Sequence, residues 1–367
     1  MNQKDICDII IENAIKDWKY SMNNKIKREQ WEIPKYSKSE INRAGSIMAN
    51  SSSSTENHKQ ALIILNNWRA SHAYPLQVIC NNLRLRNPNA IVVQRLKRLD
   101  SITRKLERFP DMSLYRMQDL GGCRVIVDTV DQVYDAIRKY KNSHIRHILK
   151  REYNYIQNPK VSGYRSYHMV YQFQSDKKET YNKNMLIEIQ FRTKLQHIWA
   201  TAVEMMGIYT KSQLKASIGD KDILRFFALV SSVFAKMENM PILPNTTDDY
   251  NILISEIRQI DKKLNLVSRL SALSVAINHT NTDKAIKGKK YYVLILNYKK
   301  KLLRVRGFSP SQIELATKVY NDIEATNNLE IDVVLVSATS FDSLRAAYPN
   351  YFNDISQFVD MMRRILA

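Results

Sequence analysis

Residues Met185–Gly207 read MLIEIQFRTKLQHIWATAVEMMG. Leu186, Ile187 and Ile189 are apolar, Glu188 and Gln190 lie among them, and Phe191 and Arg192 follow. Apolar and aromatic residues at this short period predict a buried strand. Thr193 can then cap a helix whose one face carries Leu195, Ile198, Trp199, Ala202 and Met205. A carboxylate on such a strand is unexpected, because burying an unpaired charge is costly. Glu188 is either half of a structural ion pair or a metal ligand or general base, and the local sequence fits both.

Three more stretches lie around that one. In Tyr115–Val127, YRMQDLGGCRVIV, Gln118 and Asp119 precede Gly121-Gly122, and a strand Cys123–Val127 follows. Two glycines allow a sharp turn or a close approach. In Lys160–Tyr171, KVSGYRSYHMVY, Gly163 marks a loop and Tyr167–Phe173 a strand. An exposed Tyr164 beside Lys160, Arg165 and His168 suits base stacking with phosphate contact, and a Tyr packed at a strand start suits the same residues equally. Third, Ile91-Val92-Val93 begins a strand, and Arg95, Lys97, Arg98, Arg104 and Lys105 cluster after it. Such a cluster reads as a solvated face, or, at a strand end and helix start, as a place for phosphates.

Bulk properties narrow the partners. Lys and Arg number 56 against 36 acids, a formal charge of +20 on 367 residues. That excess favours an anionic partner, nucleic acid or nucleotide, beyond what solubility needs. Cys7, Cys80 and Cys123 show no pair spacing, which argues against a disulfide scaffold and against zinc and fits a reducing, cytoplasmic setting. The first residues, MNQKDICDIIIENAIKDW, are charged throughout and show no signal-peptide core, and no apolar run reaches the length of a membrane span.

The flanking regions complete an α+β chain. An amphipathic helix is expected over 4–31, followed by one opening at Ser37-Lys38-Ser39-Glu40 with Ser39 as cap, then a serine-rich connector at Asn50–Thr55. Lys59–Leu85 reads as a helix interrupted or kinked at Pro75, and Asp131–Asn142 as another, leading into a basic segment with Lys139, Lys141, Arg146 and Lys150. Lys221–Met237 and Tyr250–Ala276 are long helices. Strands at Tyr291–Asn297 and Leu302–Gly307, a helix Ser309–Ala325 and a strand Ile331–Ser337 give a small ββαβ module with a helical tail around YPNYF. The expected units are 1–55, 56–240, 241–288 and 289–367.

Two carboxylates, Asp119 and Glu188, with many cations fit metal-assisted phosphoryl transfer. Mg²⁺ takes one or two carboxylates plus substrate phosphates, so no dense ligand cluster is required. The chain has no GxxxxGK[ST] and no kinase-type HRD or DFG set.

RxxDLGGCRV at Arg116–Val125, SGYRSYH at Ser162–His168, IEIQFRT at Ile187–Thr193 and VVQRLKRLDSITRKL at Val92–Leu106 resemble, in order, the synthetase motifs of the RelA/SpoT alarmone synthetases. The resemblance spans about residues 38–240. It implies a mixed-sheet synthetase fold flanked by helices and transfer of pyrophosphate from ATP to a ribose 3′-hydroxyl. Arg95 would hold adenine, and Lys97, Arg98 and Lys105 the ATP phosphates, with Arg124 supporting them. Asp119 would bind Mg²⁺. Glu188 would orient that metal or deprotonate the hydroxyl. Lys160, Tyr164, His168, Gln190 and Arg192 would form the acceptor side. The family's hydrolase HD motif is missing, so the chain should make the linkage and not remove it.

The acceptor is either the 3′ end of tRNA or GDP/GTP, which would give the alarmone (p)ppGpp. The +20 charge favours tRNA through counterion release, with Lys25, Lys27, Arg28, Lys38, Arg43, Arg146 and Lys150 as candidate contacts. SKSEINRAG at Ser37–Gly45 and KLQHIWATAVEMMG after the RT resemble the fused toxin–antitoxin members of the CapRel type. Their C-terminal module is similar to a zinc finger without cysteines and carries a YxxY element that holds the enzyme off. Tyr348 and Tyr351 match it, although on composition both suit a packed tail. The resemblance implies an autoinhibited toxin in anti-phage defence, released by a phage-encoded protein. A catalytically dead nucleotide- or RNA-binding module is the reading from another class.

Overall fold

The computed structural model describes residues 31–50, 54–210, 212, 214, 217–274, 278–279, 289–297, 302–326, 331–338, 343–344 and 355–367. The expected helix over 4–31 lies almost wholly outside them, as do Lys25, Lys27, Arg28, Tyr348 and Tyr351.

The deciding stretch forms strand β5, Leu186–Thr193, followed without a break by a helix over Lys194–Tyr209. The Gln196 amide donates to Thr193 Oγ1 at 3.1 Å, so Thr193 caps that helix as its sequence position predicts. Trp199, Ala202, Val203 and Met206 bury one face against further helices. Each large apolar side chain so buried contributes about 1.5–3 kcal/mol of transfer free energy.

Before β5 come α1 (Lys38–Ala49), α2 (Thr55–Ser71), α3 (Ala73–Arg86), β1 (Ile91–Leu96), α4 (Leu99–Arg108), β2 (Gly121–Val127), α5 (Val130–Lys141), β3 (Ile148–Asn154) and β4 (Tyr167–Gln172). After it come α6 (Lys194–Tyr209), α7 (Lys221–Met237), α8 (Tyr250–Leu264) and α9 (Leu266–Ser274). The C-terminal part holds β6 (Asn278–His279), β7 (Tyr291–Asn297), β8 (Leu302–Phe308), α10 (Ile313–Ala325), β9 (Ile331–Ser337) and α11 (Ser356–Leu366).

Four local readings are corrected. Ser37, not Ser39, caps α1: its hydroxyl accepts from the Glu40 amide while Glu40 accepts from the Ser37 amide at 2.8 Å, a reciprocal box. The expected helix over 59–85 divides at His72 rather than kinking at Pro75, which sits in the first turn of α3 where its missing N–H costs nothing. The helix expected over 250–276 divides at Asn265, which adopts the left-handed conformation at φ 51°. Pro310–Gln312 is a 3₁₀ turn leading into α10.

The strands form one sheet, in the order β3-β4-β5-β2-β1-β9-β7-β8-β6. Strands β2 and β5 run parallel, with Gly122 opposite Glu188 and Arg124 opposite Gln190. The ββαβ order at the C-terminus is present, but its strands do not form a sheet of their own. Strand β9 pairs with β1, Arg95 opposite Val336 and Gln94 opposite Ser337, and so extends the first sheet. Helices α1–α5 pack on one face around Leu65, Trp68, Ile79 and Ile187. Helices α6–α9 and α11 form a second apolar body that includes Tyr164. No helix among the described residues is long and apolar enough to cross a membrane.

Candidate active site

Antiparallel and parallel pairing places directly opposed residues on one face of the sheet. Tyr153, His168, Gln190, Arg124 and Val93 form one such row, and Arg151, Val170, Glu188, Gly122 and Arg95 the next. A narrow polar cleft of about 50 Å³ opens on this face, lined by Val93, Arg95, Lys97, Asp119, Gly122, Cys123, Arg124, Glu188 and Gln190. The two acids separated by sixty-nine positions in the chain therefore meet in one cleft.

Asp119 sits just before β2, with a lysine on each oxygen. Lys97 Nζ donates to Oδ2 at 2.8 Å and Lys105 Nζ to Oδ1 at 2.9 Å. Burial alone would raise the Asp119 pKa, but the two ammonium groups outweigh it and hold the carboxyl well below its usual range. Burial is also the largest influence on Lys97, and it lowers that ammonium's pKa in spite of Asp119.

Glu188 has a separate set of donors. His168 Nδ1 donates to Oε1 at 3.0 Å and Gln190 Nε2 to Oε2 at 2.6 Å. His168 Nε2 lies 2.9 Å from the Tyr164 hydroxyl, which also accepts from Arg192. Arg192 in turn donates to Gln190 Oε1 at 2.8 Å, so the network closes on itself. Burial would lower the His168 pKa, yet Tyr164 and Glu188 outweigh it and the imidazole titrates above its ordinary range. For Glu188 burial raises and His168 lowers more, so the carboxyl stays ionised at neutral pH.

The linkage has a definite sign. A raised His168 pKa contributes stability that is full below the ordinary 6.5 and is lost as pH climbs through the folded value. A lowered Glu188 pKa contributes above the ordinary 4.5 and is lost on acidification. His168→Gln is thus expected to cost most stability near about pH 6 and progressively less towards about pH 9. Thermal melts of both proteins across that range check it, and a gap that widens with pH would contradict it.

Of the two readings open for Tyr164, the structure takes the packed one: the residue is only 7% exposed. Its ring lies beneath the Arg192 guanidinium, 5.0 Å from the centroid, with Lys160 Nζ at 5.3 Å. The reason is non-local: α7 packs on the loop, where the Ser231 hydroxyl donates to the Gly163 carbonyl at 2.6 Å. Gly163 has φ +90°, and an added Cβ would sit 2.8 Å from Ser231 Cβ and 2.9 Å from Trp199. Gly163→Ala is therefore expected to destabilise the protein by about 2–4 kcal/mol, combining left-handed strain and overpacking. A chemical-denaturation loss under about 1 kcal/mol would refute that account.

The other expected site residues divide as follows. Arg95 and Arg124 line the cleft, and Lys105 reaches Asp119 from α4. Arg98 is not among the lining residues; its charge acts on Tyr320, on α10. Lys160 is exposed, its ammonium 4.6 Å from the Tyr155 centroid. Arg192 is buried and braces Tyr164 and Gln190 instead of facing the cleft. Lys38 and Arg43 are exposed on α1, while Arg146, paired with Asp176, and Lys150 lie at β3.

Sequence reasoning missed strand β3 and the stacked pair at its end, Tyr153 on the strand and Tyr155 just past it, whose parallel rings are 5.7 Å apart. The alternation Tyr153-Asn154-Tyr155 was the available signal. Among the described residues, no group of three or more His, Cys, Asp or Glu could hold a metal. The hard oxygen donors of Asp119 and Glu188 fit Mg²⁺ shared with substrate phosphates, provided Lys97 and Lys105 release Asp119.

Known proteins give the following likenesses. GTP pyrophosphokinase YjbM of Bacillus subtilis strain 168 is 34% identical over 119 residues, covering 31% of this chain and 54% of that protein. GTP pyrophosphokinase YwaC of the same strain is 30% identical over 122 residues, covering 31% and 56%. The chain thus spans about half the length of the curated relatives it matches. The crystal structure of small alarmone synthetase 1 from Bacillus subtilis aligns with 46% of this chain and 91% of its own, at 23% identity and a TM-score of 0.38. Residues 94–214, which hold every lining residue of the cleft except Val93, match the family described as the region found in RelA / SpoT proteins.

Proposed function

We propose that the chain is a pyrophosphokinase that moves pyrophosphate from ATP to a ribose 3′-hydroxyl. The observation that carries this reading is the meeting of Asp119 and Glu188 in one cleft with Arg95, Lys97 and Arg124. The RelA/SpoT region at 94–214 and the names of the two relatives support it. Lys97, Lys105, Arg95 and Arg124 would neutralise the triphosphate, and Glu188, ionised and braced by His168, would take the hydroxyl proton. Mg²⁺ held by Asp119 and Glu188 would supply charge neutralisation of the transferring phosphates.

For the acceptor, the +20 charge supports the tRNA 3′ end, while the relatives' names support a guanine nucleotide, GTP. Incubation with ATP labelled at the β-phosphate and either bulk tRNA or GDP separates them. Label in tRNA alone supports the toxin reading. Label in GDP or GTP alone overturns it in favour of alarmone synthesis. Label in neither, for the full chain and also for a chain cut near Asn278, supports the binding-module reading.

In the toxin reading, residues 289–367 act as the built-in antitoxin, a zinc-finger-like module without zinc, and a partner such as a phage protein releases it. Leu344 is buried in a cluster with Val93, which lines the cleft, and Ile355 in the cluster with Tyr164. These two contacts bring described residues of the C-terminal part beside groups of the site, which supports that reading. The cleft's small volume supports a closed state, since ligand pockets run to about 300–1,000 Å³.

A further inference from the structure

Helix α10 packs its apolar side on β7 and β9, and its polar side meets α2. There Arg69, 1% exposed, is enclosed by three residues of α10. Its guanidinium donates to the Tyr320 hydroxyl at 2.9 Å, to Asn321 Oδ1 at 2.8 Å and to Glu324 Oε2. It also donates to Asn66 Oδ1 at 3.0 Å and lies over the Tyr320 ring at 4.7 Å. A guanidinium this deeply buried needs an anion, and Glu324 supplies it.

Glu324 has a second oxygen, which serves a different element. Oε1 accepts the Leu99 amide at 2.6 Å, at the first residue of α4. The residue at the cap position, Arg98, makes no side-chain capping bond to this helix. A helix start leaves orphan N–H groups and a partial positive charge, and both favour a carboxylate there. α4 is ten residues long, too short to hold its shape alone. It also carries Lys105, which holds Asp119 Oδ1.

We propose that Glu324 is a positioning residue for the nucleotide-side cations: it caps α4 from the C-terminal helix, so the placement of Lys105 on Asp119 depends on α10 being docked. The inference rests on reading Lys105 and Asp119 as nucleotide machinery, but the cap itself does not. It gives residues 289–367 a direct mechanical connection to the cleft, separate from any segment laid across it. Arg69 fixes one carboxylate oxygen, so the other is aimed at Leu99 without rotamer freedom to lose.

The test is amide hydrogen exchange on the full chain, together with KM for ATP and for the acceptor. Glu324→Ala is expected to speed exchange at residues 99–103 by about tenfold and to leave β2 and β5 unchanged, the size expected for losing a cap. KM for ATP should rise by a similar factor while KM for the acceptor stays put. Arg69→Met/Glu324→Gln, which removes the guanidinium and keeps an oxygen for the Leu99 amide, should restore most of the protection. Glu256→Ala, which breaks the Arg225–Glu256 pair on α7 and α8, is the control. If Glu324→Ala fails to fold because Arg69 is stranded, the double change Arg69→Met/Glu324→Met removes both charges and still lacks the acceptor. Exchange at 99–103 no faster than in the control, or equal weakening of ATP and acceptor, overturns the proposal. The exchange measurement needs no turnover, so the cap is judged by itself even where the full chain is held inactive, and only a chain cut near Asn278 that is also inactive would sink the enzyme reading.

Discussion

Glu188→Gln is expected to lower pyrophosphate transfer by about 10²–10⁴-fold, the usual contribution of a positioned base, with little loss of stability. The substitution keeps the shape of the side chain and the ladder of β5. A neutral amide can still accept from His168 Nδ1, because that bond needs only an oxygen. The opposite end is less comfortable: Gln190 Nε2 would face a second NH₂ group, and Gln190 cannot flip freely because its own oxygen accepts from Arg192. That mismatch sets the stability cost at about 1 kcal/mol. Single-turnover transfer from ATP and a urea melt, run on the same preparation, separate the two roles. Transfer within tenfold of the native chain, combined with a large loss of stability, would make Glu188 the structural ion pair that its sequence context equally allowed.

The elements that sequence exposed most clearly are those whose signals are local. β5 and α6 follow from the alternation at 186–193 and the helical stripe after Thr193, and α7 from its unbroken apolar period. Edge strand β3 was hidden because ILKREYN is exposed along most of its length and shows no alternation of burial. The Ser37–Glu40 capping box was readable from its spacing but was assigned two residues late. The joining of β9 to β1 could not be read, since the pairing of Arg95 with Val336 links positions far apart in the chain and either strand would look the same unpaired.

Site residues follow the same division. The types and order of Asp119, Glu188, Arg95, Lys97 and Lys105 suggested that they meet, and four of them line one cleft while Lys105 holds Asp119. Their present partners were not legible. Tyr164 suits an exposed stacking residue and a packed one alike until Arg192 and α7 are folded onto it. Arg98 sits in a basic cluster, yet its charge reaches Tyr320, on a helix more than two hundred residues later. Nothing in a single sequence announces Glu324 as the cap of α4.

Asp119→Asn is expected to weaken catalysis and strengthen metal-free nucleotide binding at once. In the native chain both carboxylate oxygens are held by ammonium groups, so a triphosphate must displace Asp119 from Lys97 and Lys105 before it gains their charge. With Asn the two lysines lose their anion. Lys97 is only 16% exposed on its side chain and Asp119 21%, so the change should cost about 1–3 kcal/mol, below the figure for a fully buried pair because solvent reaches both. The lowered Asp119 pKa means that its contribution is present above the ordinary 3.8 and fades only as pH falls through the folded value. The stability gap between the two proteins should therefore be constant from about pH 6 to 8 and close only in acid. ATP with EDTA then supplies the missing anion, and its stabilising shift in melting temperature should be larger for Asp119→Asn than for the native chain. On the proposed reading, in which Asp119 would hold Mg²⁺, transfer should still fall by at least about 10²-fold. A smaller EDTA–ATP shift in the variant would mean that Lys97 and Lys105 do not meet phosphate, and that the Asp119 clamp is scaffolding rather than a nucleotide site held shut by its own carboxylate.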